Sequence, residues 1–216
     1  MKVGTDGVLL GAWVDPKKSN TILDIGCGTG VISLMLAQKS NAKITALEIE
    51  ENAAQEAKEN IQQSPWPTQI MIEHQSFQDY LKNPTQKHFD LIVSNPPFFD
   101  ANQNKGKRSL AREKANLPYS TLLHGCSRLL TEEGRLCVIV PSHQKNDFIQ
   151  LSEENGLFTN EITYVQGHSN AAVKRLLIQL GKKSTLLKEN RLIIEEERNE
   201  YTEDYRNLLK DYLLIF

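Results

Sequence analysis

The chain has 216 residues, 25 of them basic and 27 acidic, which gives a formal net charge of −2 and a sequence pI near 6.2. This balance excludes a protein that binds polyanions over its whole surface, so any contact with nucleic acid must come from a local patch. A hydrophobic content of 39% in a chain of this length predicts one α/β domain, residues 1–216, with a sizeable core.

The cysteines and histidines give no indication of a metal site or of disulfides. Cys27, Cys126 and Cys137 are an odd number without metal-ligand spacing, and the five histidines form no H-x-x-x-H or Cys/His set. No stretch has the length and composition of a membrane span or of a secretory signal. We therefore expect a protein of the reducing cytoplasm that uses no metal and does not act at a membrane.

A glycine-rich turn follows the first predicted strand, the apolar run 21–25. The turn, 26–30, reads Gly-Cys-Gly-Thr-Gly, and its glycines allow the backbone to approach a ligand closely. A dinucleotide site has the spacing G-x-G-x-x-G, whereas this turn has G-x-G-x-G. The carboxylate of Asp24, just before it, would repel a pyrophosphate but could hold a cationic amino group. The pattern therefore favours S-adenosylmethionine over NAD, bound by Asp24, Gly26, Gly28 and Gly30.

Two further predicted strands lead to polar residues suited to the same ligand. Strand 43–47 is followed by Glu48, about twenty residues past the glycines, which is the usual offset for an acid that binds ribose hydroxyls. An acidic residue after a strand is commonly a solvated helix cap. Glu48, however, follows Asp24 and the glycine turn in the chain, and this order favours a role in binding. Strand 69–73 leads to Ser76 and Phe77, which we expect to border an adenine ring.

The fourth predicted strand, 89–94, ends in Asn95-Pro96-Pro97-Phe98. Proline fixes its own φ and restricts the residue before it, so Asn95 is held at a stiff strand end. The Asn95 carboxamide and the Pro96 carbonyl can accept hydrogen bonds from a planar amino group, and Phe98 offers a face for a flat ring. These three are the candidate catalytic residues, and Asn95 is also expected to border the cofactor. Taken alone, the motif is more often a strand followed by a Pro-Pro turn.

A polar stretch with a basic cluster, Lys105, Lys107, Arg108 and Arg112, follows the proline motif. Basic residues beside the catalytic strand end fit contacts with RNA phosphates. An ordinary solvated surface explains the same residues equally well.

The later elements continue the alternation of helices and strands that is typical of a doubly wound sheet. We expect helices over 51–62, 119–130 and 144–154 and a buried strand over 135–140. Strands 161–165 and 173–180 have no helix between them, so they should pair antiparallel.

The chain is charged from Gly181 onward, and no strand is predicted there. We expect the acidic run 195–197 to be solvated, and Thr202 to cap a last helix that ends at Asp211.

These motifs resemble the Rossmann-like S-adenosylmethionine-dependent methyltransferases, and among them the group that methylates planar exocyclic nitrogens. Residues 23–30 match the cofactor motif and residues 95–98 the amino-group motif. Residues 2–13 look like the segment before the first strand in the bacterial tRNA(Val) adenine-37 N6-methyltransferases. The resemblance covers nearly the whole chain. Members usually carry further residues before this segment, so we expect a shortened or differently started N-terminus.

The resemblance also has consequences for the fold and the site. It implies a doubly wound, mostly parallel seven-stranded sheet of the class I methyltransferase type, with the antiparallel hairpin at its edge. It implies that Thr5 and Asp6 border the methionine end of the cofactor, although a plain turn is an equally good interpretation of these residues.

The favoured function is transfer of a methyl group from S-adenosylmethionine to the exocyclic N6 of an adenine in tRNA, by resemblance adenine 37 of tRNA(Val). A protein glutamine N5-methyltransferase is the alternative, because the same Asn-Pro-Pro motif would bind any planar carboxamide. Members of that class usually have Tyr where this chain has Phe98. A non-catalytic RNA-binding or chaperone module is a third possibility, and the presence of Asp24, Glu48 and Asn95 argues against it.

Overall fold

The computed structural model describes residues 4–82, 87–96, 117–198 and 200–213. The helices of these ranges are α1 Thr5–Trp13, α2 Val31–Lys39, α3 Glu51–Gln62, α4 Phe77–Tyr80, α5 Tyr119–Leu129, α6 Lys145–Glu154 and α7 Glu203–Leu209, with a 3-10 turn over Ser142–Gln144. The strands are β1 Thr21–Ile25, β2 Lys43–Glu48, β3 Ile70–His74, β4 Phe89–Ser94, β5 Leu130–Pro141, β6 Phe158–His168, β7 Val173–Gly181, β8 Lys188–Glu197 and β9 Glu200–Tyr201. No helix within these ranges has the length and apolar character needed to cross a membrane.

The strands form one mixed sheet in the order β3-β2-β1-β4-β5-β7-β6-β8-β9. Every pair of neighbouring strands among β1 to β5 is parallel, whereas β7 is antiparallel to both β5 and β6. The mostly parallel sheet and the antiparallel pairing of the last two predicted strands are therefore confirmed.

The sheet extends beyond the seven predicted strands. β8 pairs in parallel with β6, and β9 pairs antiparallel with β8. The prediction that the hairpin forms the edge of the sheet was therefore wrong, and so was the prediction of no strand after Gly181. Within β8 only Leu192 is buried. The strand is held to β6 mainly through its backbone, so its sequence shows no apolar pattern from which it could be predicted.

Successive residues of the central strands point to opposite faces and build two cores. Ile22 of β1 lies in the core that includes α1 and α2, whereas Leu23 lies in the core that includes α4 and α5. Leu91 and Ile92 of β4 divide in the same way. Because these strands are buried on both faces, their sequences are almost uninterrupted apolar runs.

The N-terminal residues form the helix α1 rather than a plain turn. The Lys39 ammonium donates to the carbonyls of Ala12 at 2.7 Å and Val14 at 2.6 Å, which satisfies carbonyls at the C-terminal end of the helix. The indole nitrogen of Trp13 donates to the Thr163 hydroxyl of β6 at 3.0 Å. These contacts fix α1 across the sheet.

The predicted helix boundaries agree closely with the structure. α3 has the predicted bounds, and α5 ends one residue early. The Thr202 hydroxyl accepts a hydrogen bond from the Tyr205 N–H at 3.2 Å, which confirms it as the cap of α7. That helix ends at Leu209, two residues before the predicted end.

Three parallel strands end side by side at one edge of the sheet. Ile25 of β1 pairs with Leu47 of β2 and with Ser94 of β4. The Ser94 hydroxyl donates to the Ile25 carbonyl at 2.9 Å and joins the two strand ends. The residues that follow these strands therefore meet at the carboxyl edge, where open α/β sheets bind their ligands.

Candidate active site

The glycine turn after β1 is held against the end of β2. The N–H groups of Gly26 and Cys27 donate to the Leu47 carbonyl at 2.9 and 3.0 Å. Gly26, Gly28 and Gly30 have φ values of +74°, +57° and +85°, which side chains disfavour. A Cβ atom on Gly26 would meet no atom of the described protein within 4 Å, so the backbone faces open space there. The turn can therefore lie directly against a ligand.

Glu48, the first residue after the apolar part of β2, is fixed by two backbone N–H groups. Its Oε2 accepts from Gly28 at 2.8 Å and its Oε1 accepts from Glu50 at 2.9 Å. A carboxylate oxygen has a second lone pair, so each can accept one further hydrogen bond. The two oxygens could therefore accept from two neighbouring hydroxyls, and the binding of ribose by Glu48 stays a prediction.

Asp24 of β1 is completely buried beneath the glycine turn. Its Oδ2 accepts a hydrogen bond from the Ser33 hydroxyl of α2 at 2.7 Å, whereas Oδ1 has no partner among the described residues. Burial raises the pKa of this carboxyl to about 7, Ser33 lowers it, and the nearby Glu48 raises it. A buried carboxyl with one oxygen unpartnered among the described residues can accept a hydrogen bond from a cationic group.

A cavity of about 380 Å³ opens at this edge of the sheet. The predicted site residues that line it are Gly26, Gly28, Glu48, Ser76, Phe77, Asn95 and Pro96. Other lining residues, which the sequence did not single out, include Ile49, Ala53, Gln78, Ser94 and Leu117. The structure therefore brings the ends of β1, β2, β3 and β4 around one space.

Asn95 follows β4 on the wall of this cavity and is half-buried. A Cβ atom on Gly7 of α1 would lie 3.8 Å from the Asn95 Nδ2 atom, so the carboxamide rests close to this helix. Asn95 lines the same cavity as Gly26 and Gly28 of the glycine turn. An amide in this place can accept a hydrogen bond from a ligand in the cavity.

Ser76 and Phe77 form the opposite part of the wall. The Ser76 hydroxyl accepts from the Asp79 N–H at 3.0 Å and caps α4. The Phe77 ring packs against Gly125 of α5, where an added Cβ would lie 2.5 Å from a ring carbon. Phe77 is therefore a core residue as well as a wall of the cavity.

Asp6 does not line the cavity and is paired with an arginine of β7. Its Oδ2 lies 2.9 Å from the Nε of Arg175. Among the residues that the structure describes, neither Thr5 nor Asp6 lines the cavity, and Gly7 is the residue of α1 that approaches Asn95. The place of Thr5 and Asp6 beside the methionine end of the cofactor stays a prediction.

Several predicted site residues lie outside the described residues, namely Phe98, Lys105, Lys107, Arg108 and Arg112. Within the described ranges, no group of three His, Cys, Asp or Glu side chains could hold a metal ion.

Sequence reasoning missed Ser33 and Gly7. The only signal for Ser33 was its position three residues after Gly30, in the first turn of α2 and on the side that faces β1. Gly7 gave no signal, because its approach to Asn95 joins residues far apart in the chain.

Known proteins resemble this chain over nearly its whole length. Residues 3–162 match the family model described as the methyltransferase small domain. A protein of Christiangramia forsetii named tRNA1(Val) (adenine(37)-N6)-methyltransferase is 42% identical over 221 residues, with 99% of this chain and 91% of the relative covered. This chain belongs to the tRNA1(Val) (adenine(37)-N6)-methyltransferase family. A relative of the same name in Trichodesmium erythraeum is also 42% identical and covers 100% of this methyltransferase and 92% of its own length.

Solved structures share the fold of this methyltransferase. A predicted O-methyltransferase from Agrobacterium tumefaciens has a TM-score of 0.71 at 18% identity, with 95% of this chain and 96% of that chain covered. The ribosomal protein L11 methylase of Lactobacillus delbrueckii subsp. bulgaricus has a TM-score of 0.60 at 18% identity, with coverages of 82% and 77%. At such identities the likeness concerns the fold alone.

Proposed function

We propose that this protein transfers the methyl group of S-adenosylmethionine to the exocyclic N6 of an adenine in tRNA, namely adenine 37 of tRNA(Val). The observation that carries the proposal is that Asn95, Glu48 and the glycine turn border one cavity. The relatives of this name cover nearly the whole chain and support the choice of substrate. Because its substrate is tRNA, we assign the protein to the cytoplasm.

The residues present fit S-adenosylmethionine. Gly26 leaves room for the cofactor against the backbone, Gly28 lines the same cavity, and the two oxygens of Glu48 suit the ribose hydroxyls. The unpartnered Oδ1 of Asp24 suits an ammonium group. Ser76 and Phe77 lie where the adenine ring of the cofactor would rest. When bound, the cofactor supplies a methyl group made electrophilic by a sulfonium.

Asn95 and Pro96 orient the amino group that is methylated. The lone pair of an adenine N6 is delocalised into the ring, so the nitrogen is a weak nucleophile. The carboxamide oxygen of Asn95 and the Pro96 carbonyl accept its two hydrogens and turn the lone pair toward the methyl group. With Asn95 and Pro96 holding the nitrogen in line, the methyl group would pass from the sulfonium to the nitrogen, leaving a neutral thioether, and the surplus proton would pass to water. No side-chain base is required before the bond forms.

The target base must be unstacked to reach this site. Phe98, next to the prolines, is proposed to stack on it, and the cluster Lys105, Lys107, Arg108 and Arg112 to contact phosphates.

Transfer of labelled methyl from S-adenosylmethionine tests the function directly. Incubation with total tRNA and nucleoside analysis should give label in N6-methyladenosine. A tRNA(Val) transcript should accept label, whereas the same transcript with guanine in place of adenine 37 should not. Label in protein would support the glutamine methyltransferase instead, and label in guanosine would overturn both functions.

A further inference from the structure

No cation of the described protein balances the charge of Asp24, the acidic residue beneath the glycine turn. Asp24 is 0% exposed, and the groups that act on its charge are Ser33 of α2 and Glu48 of β2. Glu48 is a second acid, and the Cys27 thiol, whose pKa is raised by burial and by both acids, stays neutral. An ionised Asp24 is therefore unfavourable in the empty protein, because its charge is desolvated and repelled.

Ser33 is the one described side chain that stabilises the ionised form. It is itself 0% exposed, and its hydroxyl donates to Oδ2 at 2.7 Å. The position lies in the first turn of α2, where the helix dipole also favours negative charge. Because Oδ2 is bound to Ser33, Oδ1 is left for a ligand.

We propose that Ser33 is a positioning residue for cofactor binding, whose hydroxyl holds Asp24 so that the buried carboxyl gives up its proton when the ammonium of S-adenosylmethionine binds. This inference rests on the proposed function, since it needs that cofactor. The O–H bond of Asp24 breaks, the proton passes to solvent, and the carboxylate and ammonium then neutralise each other. Because the Ser33 hydroxyl stabilises the ionised carboxyl, Asp24 can release its proton near neutral pH.

The exchange predicts a characteristic pH dependence of binding. The pKa of Asp24 in the empty protein is raised by burial to about 7. Below that pH each bound cofactor must displace a proton, so its affinity should fall by about tenfold per pH unit toward pH ~5. Above it the affinity should level off. 5′-Methylthioadenosine, which has the same nucleoside but no ammonium, should bind with little pH dependence in this range.

Calorimetry with both ligands from about pH 5 to 8, in buffers of different ionisation enthalpy, tests the proposal. We expect proton release on binding S-adenosylmethionine but not 5′-methylthioadenosine, and no release in Asp24→Asn. In Ser33→Ala the break in the affinity curve should move to higher pH. Ser152→Ala is the matched control, because Ser152 is another fully buried helical serine, bonded to the Ile149 carbonyl. It should leave the break unchanged.

The stability of the empty protein gives a second readout. A carboxyl whose folded pKa is raised favours the folded state at low pH and loses this contribution as the pH rises to about 7. The melting temperature of the wild type should therefore fall relative to Asp24→Asn between about pH 4 and 7.

The outcomes separate this inference from the proposed function. A ratio of the two affinities that is constant with pH, or a break that Ser33→Ala does not move, would overturn the inference and leave the methyltransferase function standing. Failure of both ligands to bind at any pH would overturn the function itself. If Ser33→Ala does not fold, Ser33→Thr, which keeps the hydroxyl, must retain the wild-type break, and a shifted break there would refute the role of Ser33.

Discussion

Asn95 contributes one carboxamide at the end of β4, and the proposed chemistry uses it to orient the amino group of the substrate. Replacing it with Ala should remove an interaction that is strongest in the transition state. We expect turnover to fall by on the order of 10²-fold or more, with a change of about threefold or less in the Kd for S-adenosylmethionine. Single-turnover methylation and calorimetry on the same preparation would measure the two effects.

A control must separate the specific loss of the Asn95 carboxamide from the general effect of removing a half-buried carboxamide. Asn155 donates to the Leu151 carbonyl at 2.8 Å at the end of α6, away from the cavity. Asn155→Ala should lower stability slightly and leave turnover of the folded protein unchanged. Equal losses of turnover in the two variants would contradict the role assigned to Asn95.

The predicted site residues that line the cavity lie at the ends of parallel strands. Gly26 and Asn95 come directly after β1 and β4, Glu48 is the last residue of β2, and adjacent parallel strands bring such positions together by topology alone. Ser33 and Asp6 were different, because their roles depend on which partner packs opposite. Asp6 meets an arginine 169 positions away, and no local pattern records a contact of that kind.

At the scale of elements, α1 matters to the site through Gly7. An Ala at this position would place its Cβ 3.8 Å from the Asn95 Nδ2 atom, which is ordinary contact. Gly7→Ala should therefore keep turnover and gain about 0.5–1 kcal/mol of stability from helix propensity. Gly7→Val adds two methyl groups beside Asn95, and we expect it to displace the carboxamide and lower turnover severalfold or more. Thermal unfolding and initial rates would distinguish these effects.

Gly11 of the same helix provides the matched comparison. A Cβ there would lie 2.7 Å from the Met35 sulfur, in the core and not at the cavity. Gly11→Val should lose stability by overpacking but keep the turnover of the protein that remains folded. A loss of turnover at Gly11 as large as that at Gly7 would show that α1 acts only through its general packing.

The strands that could be predicted are those with an apolar run in the sequence, most clearly the ones whose side chains are buried on both faces. β1 and β4 are apolar runs with few polar interruptions, and β6 and β7 lack a helix between them. β8 escaped prediction because its only buried side chain is Leu192, among mostly charged residues. A strand held by its backbone to an existing edge leaves no periodic pattern in the sequence.

For the whole molecule, a net charge of −2 restricts how tRNA can be bound. The proposed contact with the phosphates is the basic cluster near the proline motif, so few counterions are released. With its four cations in contact, log K should fall against log salt with a slope of about −3 to −4. Each substitution in the cluster, such as Lys107→Gln, should make the slope shallower by about one and weaken binding to unrelated tRNAs equally.

Lys18 is a suitable control for this measurement because it is exposed and precedes β1, at the edge of the sheet opposite the cavity. Lys18→Gln removes the same charge from the molecule, yet it should leave the slope unchanged. If both substitutions reduced the slope equally, the protein would be attracting tRNA through its overall charge, which a net negative molecule cannot do to a polyanion. The charge balance requires a local patch of cations, and the cluster beside the proline motif is the proposed one.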